Sequence, residues 1–593
     1  MRFHIVLAAL FARVSLCYPP SKYGSGAPTA KVKNGTYQGY YAPAYDTDNF
    51  LGIPYAKPPT ENRRFRVPQS LDSSWEGIRD ATKYGPLCYG YGFDTVSQVG
   101  QGSTVSDDCL TINVVRPANA KGKLPVGFWM HGGGLVMGGS ADNRYNLSFI
   151  VEESAKAGSP IIGVSINYRL SAWGFLYGKE VQKSGQTNLG FRDQRLALHW
   201  VQENIEAFGG DPSKVTIWGE SSGANSVGAQ LLAYDGRDDK IFSGAIAESG
   251  APARVNPYPT PQSWEPVYQS LAEAVGCKGA SDTLQCLRIV SAEDLNNAIN
   301  SSATTGASYG PVIDGDFVQK AASVQLQKGE FVKVPYIIVQ NADEGTMFGP
   351  HGVNTTEEFL AYLKAQAFDD ETSQTLSYLY PDIPAIGIPG TWKGRANASA
   401  TYGVQYKRSS SVGGDLSQHA PRRLTTLSWA AQKVPVYSGY FDVLVNGQPY
   451  TAGATHFQEV AFVFYNTMGY GYPQNLRPNP LGGILRPRYL ALAKIMTRMW
   501  IGFISTGNPN SALDGVEAEH WPAYTLEEPM NYMFDANMTS HPFVDTYRAE
   551  AINYLIDIII AREGRNCTGL AACKAPYGVK YGNTDGPPPL LHY

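Results

Sequence analysis

Ser221 lies at the centre of a short glycine-flanked segment, GESSG at positions 219–223, which could supply a nucleophile. The segment follows the apolar run VTIW and precedes a helix-like stretch that begins at Ala224. In a tight strand-to-helix reversal, glycines on both sides relieve steric clashes, and the serine hydroxyl rises above the edge of the sheet. The helix N-terminus directly behind it favours negative charge. The pattern therefore predicts a nucleophilic serine.

A nucleophilic serine needs a general base, and the base needs a carboxylate that orients it. Where such a serine turn occurs, the usual chain order is serine, acid, histidine. His456 is the favoured base among the six histidines after Ser221, because it lies in a loop that follows the strand-like run VPVYSGY. Asp343 and Glu344 both follow the apolar run VPYIIVQ, where the acid is expected. These residues alone do not choose between the two carboxylates.

A second glycine cluster, HGGG at positions 131–134, directly follows the apolar run LPVGFWM. Three consecutive glycines allow backbone N–H groups to converge without obstruction by a Cβ atom. Such donors stabilise a tetrahedral oxyanion, and the loss of one typically lowers the rate by about 10²–10³-fold. An ordinary glycine turn is the alternative interpretation. It is disfavoured because the cluster precedes the serine segment, in the order that the motif expects.

The elements that must position these residues are short apolar runs, which are typical of strands covered on both faces. Residues 193–208 place apolar side chains at helical spacing and end before Gly209 and Gly210, which predicts a helix there. Alternating strands and helices indicate an α/β fold with a large, mostly parallel central sheet flanked by helices. We expect one large domain with insertions. The apolar runs are 124–130, 160–167, 215–218, 241–248, 334–340 and 434–440.

Composition excludes several classes of protein. The 593 residues include 48 Lys and Arg against 52 Asp and Glu, a net charge of −4, so nucleic acid is not an expected partner. With 43% apolar and 17% charged residues, the chain can bury a large core and is not a disordered protein. The sequence contains neither a CxxC nor an HExxH pattern. We therefore expect no metal and no other cofactor.

The N-terminal residues 1–17 combine an early positive charge, an apolar stretch and small residues, which predicts a secretory signal peptide. The predicted organisation is this signal, a main domain at 18–565 and a tail at 566–593. No later segment approaches the roughly 20 apolar residues of a membrane span, so none is expected. Seven Asn-x-Ser/Thr sequons agree with secretion. They are at Asn34, Asn146, Asn300, Asn354, Asn397, Asn537 and Asn566.

Cysteines also agree with an oxidising compartment. Cys17 belongs to the signal, and six cysteines remain for the mature protein. Pairing of nearest neighbours is one of 15 possible connectivities, and we adopt it because the cysteines are close in sequence. The expected pairs are Cys88 with Cys109, Cys277 with Cys286, and Cys567 with Cys573, the last of these lying in the tail.

Several less common motifs occur together and in a fixed order, and through them the chain resembles the type-B carboxylesterase family, which includes cholinesterases and some fungal lipases. The likeness runs from about residue 52 to 464 and more weakly to about 560. It implies an α/β-hydrolase fold and the hydrolysis of carboxylic esters. The matching stretches are FLGIPYA at 50–56, DDCL at 107–110, NYR at 167–169, GFL at 174–176, the helix at 193–208, and the segment at 219–224.

The resemblance also implies roles for individual residues. It assigns the acid to Glu344 rather than Asp343, the base to His456 and the nucleophile to Ser221. It places the oxyanion N–H groups on Gly133, Gly134 and Ser222. Ser222 departs from the alanine usual there, but the donor is a backbone group, so the oxyanion hole should survive. The remaining implied features are the bridges Cys88–Cys109 and Cys277–Cys286, the structural ion pairs Arg64–Asp107 and Arg169–Asp193, and the supporting residues Glu220 and Ser249.

These roles predict a secreted serine esterase that acts on small-molecule esters through an acyl-enzyme. The rate should rise as His456 loses its proton near a pKa of about 6.5. The segment 89–108 is glycine-rich and shows no apolar stripe, which disfavours interfacial activation and favours soluble esters. A lipase or sterol esterase is the alternative. A non-catalytic adhesion protein is a second alternative, disfavoured because all three triad residues are present; the oligomeric state is not predicted.

Overall fold

The structure is a computed structural model that describes residues 27–119, 121–472 and 478–563. Three expectations lie outside the described residues. These are the signal at 1–17, the pair Cys567 and Cys573, and the sequon at Asn566.

Strands in the described residues form one large sheet and two small ones. They are β1 (Thr29–Val32), β2 (Gly35–Gln38), β3 (Tyr40–Ala42), β4 (Thr47–Pro54), β5 (Ile78–Asp80), β6 (Leu87–Cys88), β7 (Val105–Ser106), β8 (Thr111–Pro117), β9 (Leu124–Met130), β10 (Ile162–Ile166), β11 (Gly210–Glu220), β12 (Gly244–Glu248), β13 (Tyr336–Asn341), β14 (Val436–Phe441), β15 (Met530–Phe534) and β16 (His541–Val544).

Helices lie between these strands, and a π-helical segment, Asp415–His419, joins two of them. They are α1 (Phe93–Gly100), α2 (Leu147–Lys156), α3 (Ser171–Phe175), α4 (Lys179–Ser184), α5 (Leu189–Asn204), α6 (Ser222–Gly236), α7 (Pro261–Ala274), α8 (Thr283–Ile289), α9 (Ala292–Ile299), α10 (Ala322–Lys328), α11 (Gly345–Phe348), α12 (Thr356–Ala365), α13 (Asp370–Leu379), α14 (Tyr406–Gly414), α15 (Ala420–Ala431), α16 (Val460–Val463), α17 (Arg486–Thr506) and α18 (Ala549–Glu563).

The large sheet has eleven strands in the order β16-β15-β14-β13-β12-β11-β9-β10-β8-β4-β3. From β15 to β10 every neighbouring pair is parallel. The edge strands β16, β8, β4 and β3 pair antiparallel with their neighbours. The expected α/β-hydrolase architecture, a mostly parallel sheet in one domain, is confirmed.

Both faces of the parallel strands are buried, and successive residues contribute to opposite cores. In β9, Phe128 belongs to one core and Trp129 to the other. In β13, Ile338 and Ile337 divide in the same way. Helices α5, α6, α15 and α18 cover one face, whereas α2 and α17 cover the other. This double coverage explains why the strands read as continuous apolar runs in the sequence.

The six predicted runs correspond to β9 through β14, although several boundaries differ. The run at 241–248 becomes a strand only from Gly244, and the run at 215–218 belongs to a longer strand that starts at Gly210. The helix predicted from residue 193 begins at Leu189, because Leu189 and Phe191 are also buried. Its last predicted turn, Ile205–Phe208, is a 3-10 helix. Tertiary packing therefore determines where these strands and this helix begin and end, and the local sequence pattern does not.

Two disulfides occur in the described residues. Cys88 and Cys109 are bonded with their Cα atoms 5.0 Å apart, and Cys277 and Cys286 are bonded at 5.6 Å. Both ion pairs implied by the family resemblance are also present. Arg64 contacts Asp107 at 2.9 Å, and Arg169 contacts Asp193 at 2.7 Å, with all four side chains largely buried.

A buried charge cluster secures the β15–β16 end of the sheet. Asp545 accepts hydrogen bonds from Arg422 at 3.1 Å and from Arg423 at 2.6 Å, and all three side chains are fully buried. Burial disfavours the charged form of Asp545, but the two guanidinium groups outweigh it and lower the pKa of this carboxyl. The cluster connects α15 with the chain that enters α18.

We expect Asp545→Ala to reduce the free energy of unfolding by about 3–5 kcal/mol, because two buried guanidinium groups would lose their counter-charge. The measurement is urea unfolding followed by intrinsic fluorescence. Glu203→Ala provides the control, since its pair with Lys33 is half exposed and should contribute less than about 1 kcal/mol. Equal effects of the two substitutions would contradict the structural role of the cluster.

Candidate active site

Five neighbouring parallel strands bring the candidate residues to one edge of the sheet. Ser221 directly follows β11, and Glu344 lies three residues after β13. His456 lies in the loop after β14, and the glycine cluster at 131–134 directly follows β9. Because β14, β13, β12, β11 and β9 are consecutive and parallel, their carboxyl ends meet at this edge. Residues more than 300 positions apart in sequence thus become neighbours.

The turn at Ser221 is unusually tight. Its backbone has φ 57° and ψ −124°, a conformation that costs about 1–3 kcal/mol for a non-glycine residue. A Cβ atom at Gly223 would lie 2.1 Å from the carbonyl oxygen of Met130, and one at Gly219 would lie 2.5 Å from the Gly223 backbone. Glycine is therefore required on both sides of the serine, as the sequence pattern predicts.

Ser221, His456 and Glu344 form a continuous hydrogen-bonded chain. The His456 Nε2 atom lies 2.8 Å from Ser221 Oγ, and its Nδ1 atom lies 2.8 Å from Glu344 Oε2. The second Glu344 oxygen accepts hydrogen bonds from the Ser249 hydroxyl and from the Asn341 N–H. Burial opposes charge on Glu344, but the nearby imidazole and these hydrogen bonds lower its pKa below the ordinary value.

Asp343, the other candidate acid, has a different environment. Its Oδ2 atom accepts a hydrogen bond from the Ala454 N–H at 2.8 Å, and it lies close to Gly453. Burial and the neighbouring Asp442 raise its pKa to about 7. Asp343 thus holds the loop that carries His456, and Glu344 is the carboxylate in contact with the imidazole.

The glycine cluster has a backbone conformation that favours glycine. Gly133 and Gly134 have φ values of 99° and 66°. The next amide, that of Leu135, donates instead to the Ser222 hydroxyl at 3.1 Å. The Ser222 side chain thus connects the glycine loop to α6. This contact is separate from the backbone N–H of Ser222.

His131, at the start of this loop, stays neutral. Burial lowers its pKa to about 4, and its carbonyl oxygen accepts a hydrogen bond from the Tyr168 hydroxyl at 2.6 Å. The role of His131 is therefore to hold the loop in place and not to transfer protons.

Two more buried carboxyl groups lie beside the imidazole. Glu220 Oε1 lies 3.3 Å from His456 Nε2, and Glu459 Oε2 accepts a hydrogen bond from the Asn341 side chain at 2.6 Å. Burial raises the pKa of both, to about 7 for Glu459. Sequence reasoning missed Glu459, although its position three residues after His456 was a usable signal.

The pKa of His456 differs from the sequence expectation. Burial alone would lower it, but the negative charges of Glu344 and Glu220 outweigh burial and raise the pKa of His456 to about 9. The expected value near 6.5 is therefore corrected upward. A base with this pKa is more protonated at neutral pH, so activity should keep rising above pH 7.

The segment 89–108 also needs a correction. It contains helix α1, whose Phe93, Val96 and Val99 side chains are 55, 70 and 45% exposed, an apolar stripe at helical spacing. The opposite side of α1 is polar and faces inward: Thr95 Oγ1 accepts from the Gly138 N–H, and Asp94 pairs with Arg144 at 2.7 Å. Glycines around the helix obscured this stripe in the sequence.

The chain is similar in sequence to proteins of a known family. The sequence profile described as "Carboxylesterase family" matches residues 26–554 of the chain. The chain belongs to the carboxylesterase family. Among its relatives, "Secreted lipase 1" of Botryotinia fuckeliana (strain B05.10) is 33% identical, over 85% of this chain and 89% of the relative. "Lipase 2" of Geotrichum candidum is 33% identical, over 86% and 92%.

Solved structures also share the fold of this carboxylesterase. Aspergillus niger EstA aligns with a TM-score of 0.76 and 26% identity, over 91% of this chain and 99% of that one. The family match, the lipase relatives and the shared fold identify the chain as a serine carboxylic ester hydrolase.

No helix in ranges 27–119, 121–472 and 478–563 has the length and apolar character needed to cross a membrane. Within the same residues, no group of three or more His, Cys, Asp or Glu side chains is placed to hold a metal ion.

We expect Glu220→Gln to move the ascending limb of the kcat/KM pH profile to lower pH by about one unit or more, because it removes a negative charge that favours the imidazolium. The measurement is the pH dependence of soluble-ester hydrolysis. Glu248→Gln is the matched control: this buried carboxyl ends the adjacent strand β12 and accepts from Trp218 and Trp500. If the midpoint of the pH profile is unchanged in Glu220→Gln, Glu220 carries no negative charge beside the imidazole in that pH range.

Proposed function

We propose that this carboxylesterase hydrolyses esters through a Ser221–His456–Glu344 triad and an acyl-enzyme intermediate. The single observation that carries the proposal is the hydrogen-bonded chain from Ser221 Oγ through the imidazole to Glu344, with both distances at 2.8 Å. A serine so oriented is a nucleophile whose proton has an acceptor already in place.

In the proposed reaction, His456 Nε2 takes the proton of Ser221 as Oγ attacks the ester carbonyl carbon. The imidazolium then protonates the leaving alcohol, and the acyl group stays on Ser221. Water attacks the acyl-enzyme with His456 again as the base, which releases the carboxylic acid and restores the serine. Glu344 keeps the imidazole in the required tautomer and stabilises its charged form.

The backbone N–H groups of Gly133, Gly134 and Ser222 are the proposed donors to the oxyanion. The left-handed backbone of both glycines and the helix N-terminus at Ser222 support this role. The Leu135 N–H is already engaged by the Ser222 hydroxyl and is therefore not proposed as a donor.

Ser221→Ala should lower kcat for p-nitrophenyl butyrate hydrolysis by about 10⁴-fold or more, because the nucleophile is lost. Circular dichroism should report an unchanged fold. Ser222→Ala is the matched control: it keeps the backbone donor and loses the hydroxyl that contacts Leu135 and Tyr168, so most activity should remain. Substantial turnover by Ser221→Ala would contradict the proposed nucleophile.

Labelling separates catalysis from the adhesion-type alternative. An organophosphate such as diethyl p-nitrophenyl phosphate should add one phosphoryl group to Ser221 in the wild type and none in Ser221→Ala, as measured by peptide mass spectrometry. A wild-type protein that is folded but neither labelled nor active would favour a binding role.

A lipase is the second candidate, and the exposed stripe on α1 favours it. Phe93, Val96 and Val99 present apolar side chains to solvent beside the glycine loop, where they can contact an oil surface. A relative with 34% identity, over 82% of this chain and 88% of the relative, is named "Secreted triacylglycerol lipase" in Gibberella zeae. Long-chain emulsified esters are therefore candidate substrates besides soluble ones.

We expect the double substitution Phe93→Ser and Val96→Ser to lower the rate on emulsified trioctanoin several-fold and to leave soluble p-nitrophenyl butyrate nearly unaffected, because less apolar area would meet the oil surface. Ile78→Ser, an exposed apolar residue on β5, is the control. Equal rates of the double variant and the wild type on the emulsion would contradict a lipase role for α1.

Secretion and glycosylation are further proposals. Two of the relatives are named as secreted proteins. The side chains of Asn300, Asn397 and Asn537 are exposed and accessible to a glycan. Asn34, Asn146 and Asn354 are half-buried and hydrogen-bonded, which makes them poorer acceptors.

A further inference from the structure

A cavity of about 470 Å³ opens beside the glycine loop. Gly134, Leu135 and Ser222 line its near end, and Asn225 and Ala229 of α6 continue one wall. His456 is not among its lining residues. Ser221 does not line it either, but two of the three proposed oxyanion donors, Gly134 and Ser222, border the cavity, so it is the space into which an acyl group on Ser221 would extend. The leaving alcohol would then lie on the side of the imidazole.

The cavity is not simply apolar. Its charged lining residues are Arg254 and Lys320, and no carboxylate lines it in the described part of the chain. Lys320 is neutralised by Asp235 at 2.9 Å and by Glu330 at 2.6 Å. Among the described residues, Arg254 is therefore the charged lining residue without a carboxylate partner.

Arg254 is held in place without an acidic partner. Its Nε donates to the carbonyl oxygen of Asn256 at 2.8 Å, and its guanidinium lies 5.2 Å from the Tyr258 ring centroid. Gly310 allows close approach, since a Cβ there would lie 3.4 Å from Arg254 Nη1. Within the described residues, Arg254 forms no ion pair with a carboxylate. The two terminal nitrogens are thus available to a ligand.

Gln418 is a second polar group in the same wall. Its side chain is only 7% exposed, and its Oε1 atom has no hydrogen-bond partner in the described residues. A buried amide without a partner is unfavourable, so such a group commonly marks a place that a ligand or water completes. Arg254 and Gln418 therefore both present unused hydrogen-bonding capacity to one cavity.

We propose that this cavity selects esters whose acyl group ends in a carboxylate, with Arg254 as the residue that determines the specificity. The guanidinium would bind the distal carboxylate by charge-assisted hydrogen bonds, and Gln418 Oε1, which can only accept, would bind a water that donates to the same carboxylate. This inference rests on the proposed function, because it requires an acyl group on Ser221. It adds a substrate class, the monoesters of dicarboxylic acids.

The test compares p-nitrophenyl hydrogen adipate with the chain-matched neutral p-nitrophenyl hexanoate. Arg254→Met should lower kcat/KM for the adipate monoester by about tenfold to a hundredfold, because a charge-assisted contact is lost. For the hexanoate ester, kcat/KM should change by less than about threefold. A ratio of the two kcat/KM values that is equal in wild type and Arg254→Met would overturn the inference.

Arg79→Met is the matched control, since Arg79 also lies over an aromatic ring, that of Trp75, but outside the cavity. It should leave the adipate-to-hexanoate ratio unchanged. If the adipate-to-hexanoate ratio falls equally in Arg254→Met and Arg79→Met, the effect comes from the overall charge of the protein. That result would overturn the proposal of a specific site at Arg254. Gln418→Leu should lower the same ratio by a smaller factor than Arg254→Met.

Two further measurements distinguish a failure of the specificity inference from a failure of the proposed function. Hexanoate esters of a hydroxy acid place the carboxylate on the alcohol side, and ethyl hexanoate is the neutral comparison. A preference for the hydroxy-acid ester that is lost in Arg254→Met would overturn the acyl assignment. Ser221→Ala measured with both p-nitrophenyl esters tests the proposed function separately. If Ser221→Ala is inactive while the ratio stays insensitive to Arg254, the triad stands and only the specificity inference fails.

Discussion

The close approach of two backbone segments is the constraint on which the site depends. Helix α6 begins so near the end of β9 that Gly223 leaves no room for a side chain beside the Met130 carbonyl. This contact fixes the position of Ser221 relative to the glycine cluster that follows β9. Both segments directly follow buried, parallel strands. The rigid sheet therefore holds Ser221 and the glycine cluster in fixed positions. The strained backbone of Ser221 persists because this packing over-determines it.

The site also depends on buried charged side chains. Burial of a charge is unfavourable unless an opposite charge or hydrogen bonds compensate for it. Glu344 is tolerated because it accepts from Ser249, Asn341 and the imidazole at once. Glu220 lies close enough to His456 to stabilise its protonated form, the form that proton transfer from Ser221 generates. The same cost appears at Asp545, where two guanidinium groups balance one carboxylate. In each place a neighbour from a different element supplies the compensation, so the protein's electrostatics depend on its tertiary fold.

Much of the fold and the core of the site were predictable from the sequence, for identifiable reasons. Strands β9 to β14 are covered on both faces, so their apolar runs were visible, and the serine turn needs glycines at fixed positions. The choice between Asp343 and Glu344 was not predictable from physics, because adjacent residues share the same local pattern and only the tertiary fold shows which carboxylate meets the imidazole. The pKa of His456 likewise depends on charges from distant elements. Helix α1 was missed because eight residues with flanking glycines give a weak periodic signal.

The bridge between Cys88 and Cys109 closes the segment that contains α1 into a ring. Because the two ends of this segment are covalently joined, α1 and its exposed apolar stripe can move only as far as a closed loop of fixed contour length allows. Reduction of the bridge would remove that tether and leave the segment held by non-covalent contacts alone.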